Sequence, residues 1–530
     1  MKRILSLVLA AMMAATLLAG CGSKQAAGSA GSSAAAQTTA AKSDTFTYAI
    51  AGDPGSNCNP IISTGRWGLM TSNMVYSPLF KLAADGSIEW YLAKSYDLSE
   101  DKKTYTFHLR DDVKWSDGEK FTADDVLFTI QSIMNPDNAS EMYSEFVTEA
   151  GSAQLAKVDD YTFSCTFPNA SPAYLESFAY QLYIIPQHIF KDVKDFNTYE
   201  FPGTSVGTGP YVLTDYSAGS YLKFEANPDY FMGAPKIQNI IYRIITSQDT
   251  AMLAIQSGEV DAWATTPDYI KQMDLEGSNL TAHSYNQGNV AYMAFNCKRV
   301  PDQKVRQAVM FALDREQMNT AVFQSKDYYS DVYTFLPPNN PYYDDSTAEK
   351  YNTDAEKSKA LLKEAGVTNL TLTLGYDSSD TMEETQGLLM KEQLAAVGIT
   401  LNLSPMESTA YYAALKKSDN TFDMYLGGYI MGSDPNTYAS LYMSNGTSNW
   451  MYYSDAAIDD LFTKGISTFD DAERKTVYTE LQKAVQDYAC FYPIVSRNYV
   501  VVINNRVGGL DQCKLVPIYV LGDPAYLTLS

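Results

Sequence analysis

Residues 92–128 read LAKSYDLSEDKKTYTFHLRDDVKWSDGEKFTADDVLF, and three local signals follow one another along them. Tyr105, Phe107 and Leu109 alternate with polar neighbours, which predicts a half-buried strand. Asp117-Gly118 is a turn pair. Thr122-Ala-Asp-Asp125 opens a helix: the Thr122 hydroxyl suits the cap, and Asp124 and Asp125 fall in the first turn, where the helix dipole favours anions. Val126, Leu127, Ile130, Ile133 and Met134 then form one apolar stripe.

Working outward, the same kinds of signal recur on both sides. Upstream, Phe46, Tyr48 and Ile50 alternate within Thr45–Ala51, a predicted strand leading into a loop rich in Gly, Pro and Asn. Downstream, Ile240–Ile244, a short helix ending at Gly258 and Val260–Trp263 predict a strand, helix, strand unit. Leu370, Leu372 and Leu374, a helix from Asp380 closed by Gly398, and Ile399, Leu401 and Leu403 predict a second unit, whose strands right-handed crossover geometry makes parallel. Between them Val305, Ala308, Val309, Ala312 and Leu313 predict an amphipathic helix. Late in the chain Asp470 and Glu473 set a capping box ahead of the stripe Val477, Leu481, Ala484, Val485 and Tyr488. The fold class is α/β.

The stretch 92–128 resembles the signature of the family 5 extracellular solute-binding proteins, the oligopeptide, dipeptide and nickel receptors of ABC importers. Gly207-Thr-Gly-Pro-Tyr211, Glu225-Ala-Asn-Pro-Asp-Tyr230, Ile255-Gln-Ser-Gly-Glu-Val-Asp261, the run Val305 to Arg315, and Leu361-Leu-Lys-Glu-Ala-Gly366 follow in that family's order. The resemblance implies a two-lobed periplasmic-binding-protein-like fold (type II, cluster C) with a third small domain inserted in lobe one. Lobe one would comprise 44–80, 205–287 and 497–530, the inserted domain 81–204, and lobe two 288–496. The crossings near Tyr285 to Asn289 and near Ser496 to Tyr499 would be hinges, and the lobes would close around the ligand.

The resemblance also implies a ligand-lining set. In lobe one it is Thr64, Gly65, Arg66 and Trp67, where Arg66 suits a carboxylate and Trp67 a ring or backbone face. At the crossing it is Tyr285 and Asn289; in lobe two it is Gly428, Tyr429, Ile430, Met431 and Asp434, with Asn449 and Trp450 in a further stretch. Peptide-binding relatives carry, after the glycine and aromatic of this loop, an aspartate that holds the peptide's α-ammonium. Met431 or Gly432 stands in its place here. A buried ammonium left without a carboxylate loses a charge-assisted bond worth ~1.5–3 kcal/mol. The sequence therefore predicts either tolerance of N-acetylated ligands or reliance on Asp434, whose other role is to cap the helix after Pro435. The nickel-binding histidine of other relatives has no counterpart, so a peptide is expected ahead of a metal complex; the alternatives are a receptor for a non-peptide solute (a sugar, an opine-like conjugate or a metal chelate) and a sensor lipoprotein without transport.

The N-terminus sets the location. Lys2 and Arg3, the apolar run Ile4–Leu18 and Leu18-Ala-Gly-Cys21 read as a secretory signal ending in a lipobox, with the Cys21 thiol as the lipidation site. Gly22–Ser43 is Gly, Ser, Ala, Thr, Gln and Lys with no aromatic or branched aliphatic residue, the composition of a flexible tether. No later apolar run is long enough to span a bilayer. The expected place is the extracytoplasmic face of a bacterial membrane, held by the lipid alone.

Composition narrows the partners. A formal charge of -23 argues against nucleic acid and anionic headgroups. The three histidines, His108, His188 and His283, are scattered singly, so no metal site and no cofactor are expected. The cysteines other than Cys21 are Cys58, Cys165, Cys297, Cys490 and Cys513, without close spacing, and read as small buried hydrophobes with at most one disulfide whose partners stay open. No G-x-S-x-G, H-E-x-x-H or Cys/His pairing argues for an enzyme. The forty tyrosines supply flat amphipathic faces for a solute or for the core. The expected partners are a small solute, a peptide before others, and an ABC permease, with the receptor itself a monomer.

Overall fold

The computed structural model describes residues 44–530 except 56–58, 63–64, 84–85, 180, 200–202, 349 and 418. The signal, the tether, Cys21, Cys58 and Thr64 lie outside the described residues.

One mixed sheet runs through the molecule. Its order is Tyr211–Ser217, Tyr221–Ala226, Asn239–Ile244, Thr45–Ile50, Ala262–Thr265, Phe491–Asn504, Asn289–Phe295, Met424–Ile430, Thr371–Asp377 and Thr400–Met406, and Leu280–Asn286 also pairs with the long strand Phe491–Asn504. That long strand belongs to both halves. Its first part pairs with Asn289–Phe295, as at Ala291 opposite Val495, and its last part with Ala262–Thr265 and Leu280–Asn286.

The cores divide where this strand crosses. One cluster is drawn from Val290 to Val495; a second takes Phe46 to Tyr285 and resumes at Val501 to Leu527. A third lies on the opposite face of the first half's sheet and includes Ala49, Ile255, Trp263, Val500 and Val502. The period of two explains the partition. Phe46, Tyr48 and Ile50 enter the second cluster while Ala49 enters the third, and Val501 and Ile503 oppose Val500 and Val502. Each such Phe, Ile or Val side chain, fully buried, contributes ~1.5–3 kcal/mol.

The two predicted crossover units form. Thr371–Asp377 and Thr400–Met406 are parallel, joined by the helix Thr381–Ala395, and Gly398 takes φ +86 in the return. The upstream unit differs in one respect: Asn239–Ile244 and Ala262–Thr265 are not neighbours, because Thr45–Ile50 inserts between them parallel to both, with Tyr48 opposite Tyr242 and Ala262. A strand from the far N-terminus leaves no mark on the spacing of the unit it splits.

Residues 92–128 supply two strands, Ala93–Leu98 and Thr104–Leu109, of a four-stranded antiparallel sheet completed by Thr162–Thr166 and Gln154–Asp159, with the helix Ala123–Met134 beside it. Tyr105, Phe107 and Leu109 are buried. Thr122 accepts from Asp124 N at 3.3 Å, and Asp125 closes the capping box by accepting from Thr122 N at 2.9 Å. Asp125 does more than face the helix dipole: it is buried and also accepts from Gln187 N and Trp115 Nε1. Burial pushes its pKa up against these bonds. The sheet shares the second core rather than having its own.

Among the described residues Cys165, Cys297, Cys490 and Cys513 are buried free thiols, His108 and His188 pair with Asp97 and Asp117, and no cluster of metal-ligating side chains forms. No described helix is long and apolar enough to cross a membrane.

Candidate functional site

The two crossings between the cores are fastened to each other. Asn286 donates from Nδ2 to Ser496 Oγ and to Asn498 Oδ1, both at 3.0 Å, and its Oδ1 accepts from Gly288 N at 2.7 Å. Gly288 takes φ +70, where a side chain would be strained, and turns the chain into Asn289–Phe295.

On the first half's side, Arg66 begins the helix Arg66–Val75 behind Gly65, which stands at the N-cap position. Its Nε donates to Ile518 O at 3.0 Å and its Nη2 to Tyr285 Oη at 3.3 Å. Trp67 packs against Gly52, where any Cβ would overlap the indole. The Arg66 guanidinium carbon stands 5.5 Å from the Trp67 ring centre. Among the described residues no carboxylate pairs with Arg66. The structure thus brings Arg66, Trp67 and Tyr285 together beside the crossing.

On the other side, Met424–Ile430 runs antiparallel to Asn289–Phe295 with Ile430 opposite Asn289. Asn289 is 6% exposed and its Oδ1 has no partner among the described residues. Gly428 and Ile430 are exposed at the strand's end. The Tyr429 ring turns inward, 5.4 Å from both Tyr292 and Tyr438, and its hydroxyl donates to Phe335 O. Met431, Gly432 and Asp434 line a cavity of about 700 Å³ between this loop and residues of the stretch 144–177. Its described lining holds four carboxylates, Glu145, Glu149, Glu176 and Asp434, and no Lys, Arg or His.

Asp434 is not a free carboxylate. Arg474 Nη2 donates to Oδ2 at 2.7 Å and Oδ1 at 3.0 Å, with both side chains under 10% exposed. Arg474 is further held by Gly465 O and by the Tyr342 and Tyr478 hydroxyls. The predicted cap is also present, since Oδ1 accepts from Asn436 N at 2.8 Å. Asn449 and Trp450 lie apart, in a recess of about 760 Å³ lined also by Lys298 and Lys416. There Asn449 Nδ2 fastens its own loop to Met443 O and Tyr453 O.

Sequence reading missed Glu176. It sits on the helix Tyr174–Ala179 and accepts from Ser433 N, Ser433 Oγ and Asp434 N at 2.8, 2.7 and 2.8 Å. These bonds join residues 257 positions apart, and no local pattern marks such a pair.

Two halves with separate cores, joined by paired crossings and meeting at a cavity that carries four carboxylates, define a two-lobed solute-binding protein. Residues 88–452 match the bacterial extracellular solute-binding proteins, family 5 (middle region), and the chain belongs to that family. It is 27% identical to "Heme-binding protein A" of Haemophilus influenzae, covering 97% of each chain. It is 25% identical to "Oligopeptide-binding protein AppA" of Bacillus subtilis, covering 96% of each. The solved structure of the ABC transporter substrate binding protein CtaP from Listeria monocytogenes superposes with a TM-score of 0.86 at 33% identity, over 92% of this chain and all of that one. The fold is the two-lobed type II fold the motifs implied.

Proposed function

We propose that this chain is the receptor of an ABC importer, that it captures a peptide or peptide-like solute between its lobes, and that the closed form is what the membrane permease engages. The observation that carries the reading is a pair of opposite poles, a cation beside the crossing at Tyr285 and an acidic cavity beyond Ile430. Arg66, without a carboxylate partner among the described residues, stands on lobe one, and an acidic cavity lies between lobe two and the inserted domain. A peptide presents a carboxylate and an ammonium to such poles. The oligopeptide-binding relative supports the same class of solute.

The division into lobe one at 44–80, 205–287 and 497–530, an inserted domain at 81–204 and lobe two at 288–496 belongs to this proposal. The break in the cores between Tyr285 and Val290, and again between Val495 and Val500, supports the two crossings as hinges. The lipid anchor at Cys21 belongs to the same proposal: it would hold the body, a monomer, on the extracytoplasmic face, with binding rather than catalysis as its work.

Native mass spectrometry of protein purified from its own host tests the reading. The expected adduct is a peptide of a few residues. A heme, a metal chelate or a sugar as the retained mass overturns it.

A further inference from the structure

Glu176 reaches across the cavity from the inserted domain to the Ser433–Asp434 backbone of lobe two, and the position it reaches is left bare. Gly432 has no side chain, and a Cβ there would lie 3.1 Å from Glu176 Oε1 and 3.0 Å from Thr437 Cγ2. The carboxylate fills the space that a side chain at 432 would take.

An ionised carboxylate offers about four lone-pair sites. Three are used, two on Oε1 by Ser433 and one on Oε2 by Asp434 N, so Oε2 keeps one for a further donor. The donors in place are all neutral. Asp434 lies beside Glu176, but its charge is matched by Arg474, which is buried and spent on that pair. Glu145 lines the same cavity, and its carboxylate accepts from Ser177 Oγ at 2.6 Å; Glu149 adds a further negative charge, and no base among the described lining residues offsets it. Facing Glu176 from the next turn of the lobe-two loop is Tyr438, fully buried, with a hydroxyl that has no partner among the described residues and that feels the Glu176 charge. Burial, with Asp434's charge next, pushes the Glu176 pKa up, as befits a carboxylate lacking its countercharge.

We propose that Glu176 is the carboxylate that receives the solute's cationic group, so that the receptor selects ligands with a free ammonium and meets it from the inserted domain. This rests on the peptide reading and reverses the expectation of N-acetyl tolerance drawn from the lobe-two loop alone. Because the same carboxylate holds the Ser433–Asp434 backbone, ammonium binding and contact between the inserted domain and lobe two are coupled.

The probe is a random pool of tri- to pentapeptides, offered to the full chain with free and with acetylated amino termini and read by native mass spectrometry. The wild type should retain the free pool over the acetylated one by roughly tenfold to a hundredfold, the worth of one charge-assisted bond. Glu176→Gln should lose most of that preference while still binding the acetylated pool, and that retained binding, with a single cooperative melting transition, is the folding control. Equal retention of the two pools by the wild type overturns the proposal without any variant. An equal loss of both pools in Glu176→Gln also overturns it, since a carboxylate that only fastens the loop weakens every ligand alike. Retention of neither pool by the wild type rejects the peptide reading beneath it.

Discussion

Asp434 and Arg474 face each other inside lobe two with almost no solvent access. Removing one partner of such a pair strands the other charge, at a cost of ~3–5 kcal/mol, whereas losing a cap alone costs ~1 kcal/mol. Asp434→Asn keeps an acceptor for Asn436 N and is therefore expected to lose the larger amount, read as a fall in urea midpoint at constant slope. Of this the sequence showed only the cap, because Asp434-Pro435 is a local signal while Arg474 arrives from 40 residues away. Glu383 gives a pH test. It is 5% exposed and accepts from Asp377 N at 2.8 Å; burial, with the charges of Asp380 and Asp377 behind it, pushes its pKa up to about 7. The folded state therefore holds a proton that the unfolded chain releases. Stability is full at acid pH and is lost as pH rises toward 7, by ~3 kcal/mol for this group. Glu383→Gln, which can still accept from Asp377 N, should gain on the wild type in thermal melts at pH 8 and not at pH 4. A difference that does not change with pH rules out this assignment.

At the scale of elements, most of the architecture was legible because it is written in short periods. The alternation of Tyr105, Phe107 and Leu109, the cap at Thr122 and the unit from Leu370 to Leu403 all appear where the pattern put them. What the periods could not carry is adjacency. Thr45–Ile50 settles between two strands from elsewhere in the chain, and Glu176 meets a loop 257 residues on, because such pairings follow from which apolar faces remain to be covered. The crossings sit between these cases: Gly288 and the asparagines mark a turn, but their bonding from one crossing to the other is tertiary. Asn286→Ala removes the donor to Ser496 and Asn498 and the acceptor of Gly288 N. A cost of about 1–3 kcal/mol is expected. It should appear in hydrogen exchange as faster opening at Asn286–Asn289 and Ser496–Asn498, with the strands within each core unchanged. Uniform acceleration through both lobes would show that the crossings are not separate elements.

At the scale of the whole molecule, the long strand Phe491–Asn504 and the crossing at Asn286–Asn289 are what the two cores share, and the cavity lined from 144–177 and from 430–466 is what they enclose together. A solute that touches both sides binds the closed arrangement better than any open one, and it shifts the population by that difference in affinity. The central claim is that solute capture and lobe closure are one event. Small-angle scattering tests it most directly, on protein stripped of solute by reversible unfolding and on the same protein with its copurified solute returned at saturation. A smaller radius of gyration on loading is the expected result; superimposable curves in the two states would contradict it.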